Sequence, residues 1–304
     1  MSENAIQKYE DLGSDELQKK AEIFFDYLDV SNHTRREYKY RIRMFIDFIG
    51  THGFDRNSFL EFKRFLAGRE DLSVATKNKY LATARIFLKE LYRLGVVPVE
   101  ITVNVRSFNQ SSKHKREGLN HSEIERLVSR IYHLPSDERN TRLKALFSLL
   151  VFQGLRQVEI TRLDVKDLDL VAKKAHVQGK GRDDKEPIHL LPETIKALKK
   201  YMQVNKIASG ALFKSLGNRK SPRISTMTIK RDLKSLFQAE EVEKTVHGLR
   251  HYYITTLLEK FDVRDVRKFS RHKSLEMLIV YDDEIELTHK ASEVAECFKG
   301  LNVA

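Results

Sequence analysis

The sequence predicts a mainly α-helical protein with a small β-hairpin or sheet, divided into two domains. The chain has 304 residues, which is long for a single hydrophobic core. Apolar residues recur at helical spacing through most of both halves. Residues 106–118 lose that spacing and are rich in Ser, Asn, Gln and Lys, so we predict a linker there.

The N-terminal part is predicted to be an acidic tail, 1–14, followed by a helical domain, 15–105. Apolar stripes predict four helices in this domain: 21–28, 34–50, 59–65 and the segment between Ser73 and Gly95. Thr34 is predicted to cap the second helix, and Gly95 to end the fourth.

The C-terminal domain, 119–285, is predicted to combine helices with a hairpin. Asn120 and Glu123 have the spacing of a capping box at the start of a helix. The segments 173–178 and 185–190 flank a glycine-containing turn and predict two antiparallel strands. Further helices are predicted at 143–152, from Pro192 onward, and at 226–238, 245–258, 263–270 and 274–281. A short amphipathic helix is expected in the tail, 286–304.

The charge is strongly positive and unevenly distributed. The chain carries a net charge of +12, with a pI near 9.5. Residues 1–30 have 3 basic and 8 acidic groups, whereas residues 31–118 have 18 basic and 9 acidic groups. Two basic segments favour a polyanionic partner, although a merely soluble basic protein remains open at this point. The basic residues expected to contact nucleic acid lie off the apolar stripes: Arg35, Arg36, Lys39, Arg43, Lys77 and Lys79.

The composition also bears on the compartment. No apolar run approaches the roughly 20 residues that span a bilayer, and the N-terminus lacks the pattern of a secretory signal. The single cysteine, Cys297, excludes an internal disulfide framework and a multi-cysteine zinc site. We therefore expect a cytoplasmic protein without a metal or other cofactor.

Several polar residues lie where packing of a hydrophobic core would not require them. They are therefore candidates for a catalytic site. Taken singly, each has an ordinary interpretation as a surface arginine, a salt-bridged histidine or a core tyrosine. Taken together, they supply two guanidinium groups for phosphate oxygens, a lysine acid, histidines and a phenol nucleophile. Glu159 could hold the guanidinium of Arg156 in place. The candidate catalytic residues are Arg156, Lys180, His247, Arg250, His272 and Tyr281.

In order and spacing these residues resemble the tyrosine recombinase (phage integrase) family, especially its Xer-like members. The match consists of GLRQVEI, then GKG on a hairpin, then HGLRH, then RH with a tyrosine nine residues later. The resemblance implies a helical core-binding (SAM-like) domain followed by an α+β catalytic domain. It also implies roles for the candidate residues. Arg156 and Arg250 would bind the scissile phosphate, and His272 would donate a hydrogen bond to it. Lys180 would be the general acid, His247 an acid/base, Tyr281 the nucleophile and Glu159 a supporting residue.

The same resemblance implies a partner and an assembly. The enzyme would cleave and rejoin double-stranded DNA with paired half-sites through a 3′-phosphotyrosyl link. It would act as a homo-tetramer on two sites at the nucleoid of its host cell, with the C-terminal tail docking on its own or a neighbouring subunit. A catalytically silent DNA-binding relative and a type IB topoisomerase are the alternatives. Lys185 competes with Lys180 for the role of general acid.

The sequence departs from the family pattern at two places near the tyrosine. Arg271 stands where the family usually has a glycine. Glu276, Met277 and Leu278 replace the usual small residues. Pro187 is also unusual within the second predicted strand.

Overall fold

The computed structural model describes residues 12–110, 118–179, 181, 183–216 and 223–282. The chain divides into two compact units, residues 1–111 and 112–304, and each has its own hydrophobic core. The C-terminal tail 286–304 and all but the last three residues of the predicted acidic tail lie outside the described residues.

The described part of the N-terminal unit is helical. Its helices are α1 (Ser14–Tyr27), α2 (Asn32–His52), α3 (Ser58–Gly68) and α4 (Val74–Arg93). The apolar stripe of each helix turns inward, since burying apolar surface is the main source of stability. The core is rich in aromatic residues, and its fully buried members include Phe25, Phe45, Phe59, Phe62 and Phe87.

The caps of this unit correct one prediction. Thr34 does not cap α2, because the helix begins two residues earlier and Ser31 Oγ accepts a hydrogen bond from the Thr34 N–H at 3.2 Å. The first turn of α2 is polar, so the apolar stripe, which begins after it, predicted a start for the helix that was too late. Ser73 caps α4, and Gly95 follows that helix with φ of 68°, as predicted.

The C-terminal unit surrounds a helix that is buried on nearly every side. Its helices are α5 (His121–His133), α6 (Glu138–Val151), α7 (Gln157–Arg162), α8 (Pro192–Val204), α9 (Thr226–Ala239), α10 (Val246–Leu258), α11 (Val263–Ser270) and α12 (Glu276–Asp282). Helix α6 is the buried one, and α8, α9 and α10 pack against it. The predicted capping box of Asn120 and Glu123 opens α5.

The sheet lies between α7 and α8 in the chain. It has three antiparallel strands in the order β1 (Leu168–Asp169), β2 (Lys174–Gln178) and β3 (Lys185–His189). The predicted hairpin is therefore confirmed, and β1 was too short to be predicted. Pro187 lies on the edge strand β3, where its missing N–H costs no ladder hydrogen bond.

The predicted fold class is confirmed: the protein is mainly helical with a small antiparallel sheet. Among the described residues, no helix has the length and apolar character that crossing a membrane requires.

Candidate active site

The turn after helix α6 positions the first part of the site. Gly154 has φ of 57°, and a Cβ there would lie 2.2 Å from the ring of Tyr253, so only glycine fits. Its carbonyl accepts a hydrogen bond from Arg250 Nη1. The turn thus joins the end of α6 to the arginine of α10, 96 positions later in the chain.

Arg156 and Glu159 form a closed pair at the start of α7. Arg156 Nη1 lies 2.8 Å from Glu159 Oε1, and the Arg156 backbone N–H donates to Glu159 Oε2 at 2.9 Å. The Glu159 side chain is fully buried, while that of Arg156 is 22% exposed. The carboxylate therefore fixes the guanidinium without covering it, which leaves Arg156 accessible to an anion.

Arg250 is the most buried arginine of the site, with an exposed fraction of 1%. Its Nη2 donates to the Ser270 carbonyl at 2.5 Å and lies 3.4 Å from His272 Nε2. The pKa of Arg250 is lowered to about 9, first by burial and then by the like charges of Arg156 and Arg271. The group still carries its charge at neutral pH.

His272 is held neutral beside this arginine. Its pKa is lowered to about 3, first by burial and then by the charges of Arg250 and Arg156. His272 Nδ1 lies 2.7 Å from Ser270 Oγ, which in turn donates to the Arg267 carbonyl. The two ring nitrogens therefore have different neighbours: Nδ1 contacts the Ser270 hydroxyl, and Nε2 faces the Arg250 guanidinium.

Tyr281 lies on α12, in the same unit as both arginines. Its side chain is 4% exposed and packs with an apolar cluster that includes Ile254, Val266 and Leu278. The Tyr281 ring lies 4.7 Å from the ring of His251 and 6.1 Å from that of His272, between centroids. Tyr281 is also close enough to Arg250 for the two side chains to interact electrostatically.

Two of the predicted catalytic residues, His247 and Lys180, are not among the contacts described so far. His247 is exposed on the first turn of α10, on the same face as Arg250 one turn later. Lys180 lies outside the described residues. Its competitor Lys185 is bound to the buried carboxylate of Asp167, with Nζ 2.5 Å from Oδ1. The structure therefore brings Arg156, Glu159, Arg250, His272 and Tyr281 together.

Two residues at the site were not predicted to act there. Arg271 Nη2 donates to Glu159 Oε2 at 3.0 Å, across 112 positions of the chain. The sequence signal was available, since Arg271 replaces a family glycine. His251 is 3% exposed beside Tyr281, and a Cβ on Gly118 would lie 2.2 Å from its ring. His251 is the last residue of the HGLRH motif, but no role was predicted for it.

The six basic residues predicted to contact nucleic acid fall into two groups in the N-terminal unit. Three make internal contacts: Arg35 donates to the carbonyls of Phe25 and Leu28, Lys39 pairs with Asp26 at 2.8 Å, and Lys77 donates to a carbonyl at the end of α3. The other three, Arg36, Arg43 and Lys79, are exposed.

The described residues contain no group of three or more His, Cys, Asp or Glu side chains that could hold a metal ion.

Comparison with known proteins decides the family. The model of the phage integrase family matches residues 117–286, more than half of the chain. This chain belongs to the phage integrase family. The family match covers every predicted catalytic residue, although their individual roles stay predictions.

Relatives extend the likeness beyond the catalytic unit. The chain is 22% identical to a tyrosine recombinase XerC of Leptospira interrogans over 286 residues, which cover 90% of this chain and 91% of the relative. It is 29% identical to a tyrosine recombinase XerC of Thermodesulfovibrio yellowstonii, covering 85% and 88% of the two chains. The sequence-based prediction of an Xer-like member of the phage integrase family is confirmed.

Solved structures share the fold. A crystal structure of the XerH site-specific recombinase bound to a palindromic difH substrate matches with a TM-score of 0.73 and 20% identity, covering 94% of this chain and 85% of that one. A lambda integrase dimer bound to a COC′ core site matches with a TM-score of 0.69 and 16% identity, covering 89% and 95%.

Proposed function

We propose that this phage integrase family member is a site-specific tyrosine recombinase that cleaves and rejoins DNA strands, with Tyr281 as its nucleophile. One observation carries the proposal: within the described residues, three guanidinium groups gather around a single carboxylate, next to a buried phenol. Such an excess of positive charge suits a phosphodiester, whose negative charge grows in the transition state.

We assign the steps of the reaction to the residues that match the family pattern. The Tyr281 oxygen attacks the scissile phosphorus, a phosphotyrosyl bond forms at the 3′ side, and the bond to the 5′ oxygen breaks. Arg156 and Arg250 bind the non-bridging oxygens. His247 accepts the phenol proton, and Lys180 protonates the leaving 5′ oxygen. Attack by a 5′-hydroxyl of another duplex on the phosphotyrosyl bond then restores a continuous strand and the free phenol.

The choice of Lys180 over Lys185 as general acid rests on the contact that Lys185 makes. Its ammonium is bound to the buried Asp167 carboxylate, and donating its proton would leave that carboxylate without its charged partner. Lys180→Ala is therefore expected to slow cleavage strongly. Lys185→Ala should affect mainly stability.

The covalent link provides the sharpest test. We would incubate the full chain with fragmented chromosomal DNA of its host, denature the mixture, and sequence the DNA that stays bound. Wild-type protein should retain DNA through Tyr281, and Tyr281→Phe should bind DNA but retain none. Tyr252→Phe, which alters a phenol that contacts His121 instead, is the matched control and should behave as wild type. An adduct that persists in Tyr281→Phe would assign the nucleophile to another residue.

The DNA partner is expected to contact the exposed basic residues of α2 and α4. Replacing Arg36, Arg43 and Lys79 with Ala should reduce the slope of log affinity against log salt by about 2.7, or about 0.9 for each lost phosphate contact. Arg93→Ala is the control, because this arginine lies in the last turn of α4, pairs with Glu90 and is not among the predicted DNA contacts. An unchanged slope in the triple variant would remove these residues from the DNA interface.

The assembly completes the proposal. Residues 15–105 serve as the core-binding domain and 119–285 as the catalytic domain. Four subunits meet on two DNA sites at the nucleoid, and the tail 286–304 docks between them. Truncation after Asp283 should reduce tetramer formation on DNA, measured by light scattering, before it reduces binding to one site. Normal tetramers without the tail would refute its docking role.

A further inference from the structure

Helix α11 ends on an arginine in a left-handed backbone conformation. Arg271 has φ of 56° and ψ of 40°, and its N–H closes the helix on the carbonyls of Arg267 and Lys268. This conformation favours glycine, because a Cβ crowds the following carbonyl.

The side chain of Arg271 is buried and only partly satisfied. It is 6% exposed. Its Nη2 donates a hydrogen bond to Glu159, and its Nη1 donates one to the Phe269 carbonyl. Its Nε is buried and makes no hydrogen bond within the described structure. Buried arginines are rare unless they are paired, so the contact with Glu159 is the one that holds this side chain inward.

Arg271 and Arg156 share the Glu159 carboxylate. Glu159 Oε1 accepts from the Arg156 guanidinium, and Oε2 accepts from the Arg156 backbone and from Arg271. Burial acts to raise the pKa of Glu159, yet this pKa is lowered, and the charge of Arg271 is the largest influence in that direction. Arg271 therefore keeps the carboxylate charged and fixed under the guanidinium of Arg156.

We propose that Arg271 is a positioning residue for DNA cleavage: it anchors Glu159, which orients Arg156, and it offsets the carboxylate charge that would otherwise weaken phosphate binding. The inference rests on the proposed function, because it assumes that a phosphodiester reacts at this site. Arg271 acts through Glu159 and is not assigned a contact with DNA.

The test compares Arg271→Gly, which suits the left-handed conformation, with Arg271→Lys, which keeps the charge. Lys268→Ala is the matched control, since it removes a charge from the same helix where the side chain is 73% exposed. Single-turnover cleavage is measured on a duplex with the site recovered by covalent trapping. Arg271→Gly should slow it by about 10- to 100-fold, as loss of a supporting partner does elsewhere. Arg271→Lys should recover part of that rate, and Lys268→Ala should match wild type.

A second substrate separates a charge role from a structural one. A methylphosphonate at the scissile position is neutral and needs less positive charge in the transition state. The loss of cleavage rate in Arg271→Gly should therefore be clearly smaller on this substrate than on the phosphodiester. Equal losses on both substrates, or no loss on either, would overturn the inference.

A measurement without DNA keeps this test apart from that of the proposed function. In full-length protein with ¹³C-labelled glutamate carboxyls, assigned with Glu159→Gln, the pKa of Glu159 should rise in Arg271→Gly and stay unchanged in Lys268→Ala. An unchanged Glu159 pKa in Arg271→Gly would overturn the inference even if cleavage is impaired. If wild-type protein cleaves no DNA, the proposed function fails, and this titration alone decides whether Arg271 anchors Glu159.

Discussion

Replacing His272 with Gln should remove a large part of the pH dependence of stability. The pKa of His272 is lowered from 6.5 to about 3 in the folded protein, first by burial and then by Arg250 and Arg156. Between these two pH values, the unfolded chain carries a proton on this imidazole that the folded chain does not bind. The free energy of unfolding therefore falls as the pH falls through that window.

The magnitude follows from the width of the window. The full interval from pH 6.5 to about 3 corresponds to about 5 kcal/mol, at 1.36 kcal/mol for each pH unit. Between pH 7 and pH 4.5, the part that belongs to His272 is about 2.5 kcal/mol. Over this range the free energy of unfolding should thus fall by about 2.5 kcal/mol more in wild-type protein than in His272→Gln. The contributions of other titrating groups are common to both proteins and cancel in the difference.

The assay is urea-induced unfolding at the two pH values, followed through NMR amide signals of helix α10. His121→Gln is the matched control, since it removes an imidazole of the same unit whose side chain is 75% exposed. Should wild type and His272→Gln lose the same unfolding free energy between pH 7 and 4.5, burial and the neighbouring arginines do not keep the imidazole neutral, and the geometry of the site would need revision.

Two further predictions concern the packing of the C-terminal unit. Gly154→Ala should lower the thermal midpoint far more than Gly210→Ala, because both have positive φ but only the former would clash with the Tyr253 ring; equal effects in a melting experiment would contradict the close approach. Arg142→Met should cost about 3–5 kcal/mol of unfolding free energy, because it removes the 2.6 Å partner of the buried Asp232 carboxylate and leaves it only the exposed Arg231, 3.8 Å away, among the ion pairs of the described residues. The Arg142→Met/Asp232→Leu double variant should recover much of that loss in urea unfolding, and failure to recover would mean that the arginine acts through packing instead.

Local rules gave most of the helices and the hairpin. The segment 263–270 was predicted to its final residue, and the capping box of Asn120 and Glu123 was found where its spacing placed it. These features depend on residues within one or two turns of each other, so the sequence contains them directly. The start of α2 was wrong for the same reason, since its polar first turn carries no apolar period and only the Ser31 hydrogen bond reveals it.

Contacts between distant segments could not be predicted in this way. Arg35 and Lys39 were expected to face DNA, yet their hydrogen bonds go to α1. A helical stripe shows which side of a helix leaves the core, but not which neighbouring helix supplies an acceptor. The role of these two residues in DNA binding stays a prediction.

The sequence by itself determined the types, order and spacing of the reactive residues, because a phosphoryl transfer of this kind requires two guanidinium groups and a phenol in any fold that performs it. Only the tertiary structure decided that Arg156 and Arg271 share one buried carboxylate and that His272 lies neutral against Arg250. Burial and charge at a site are sums over segments that lie far apart in the chain, and no local pattern of residues contains that sum.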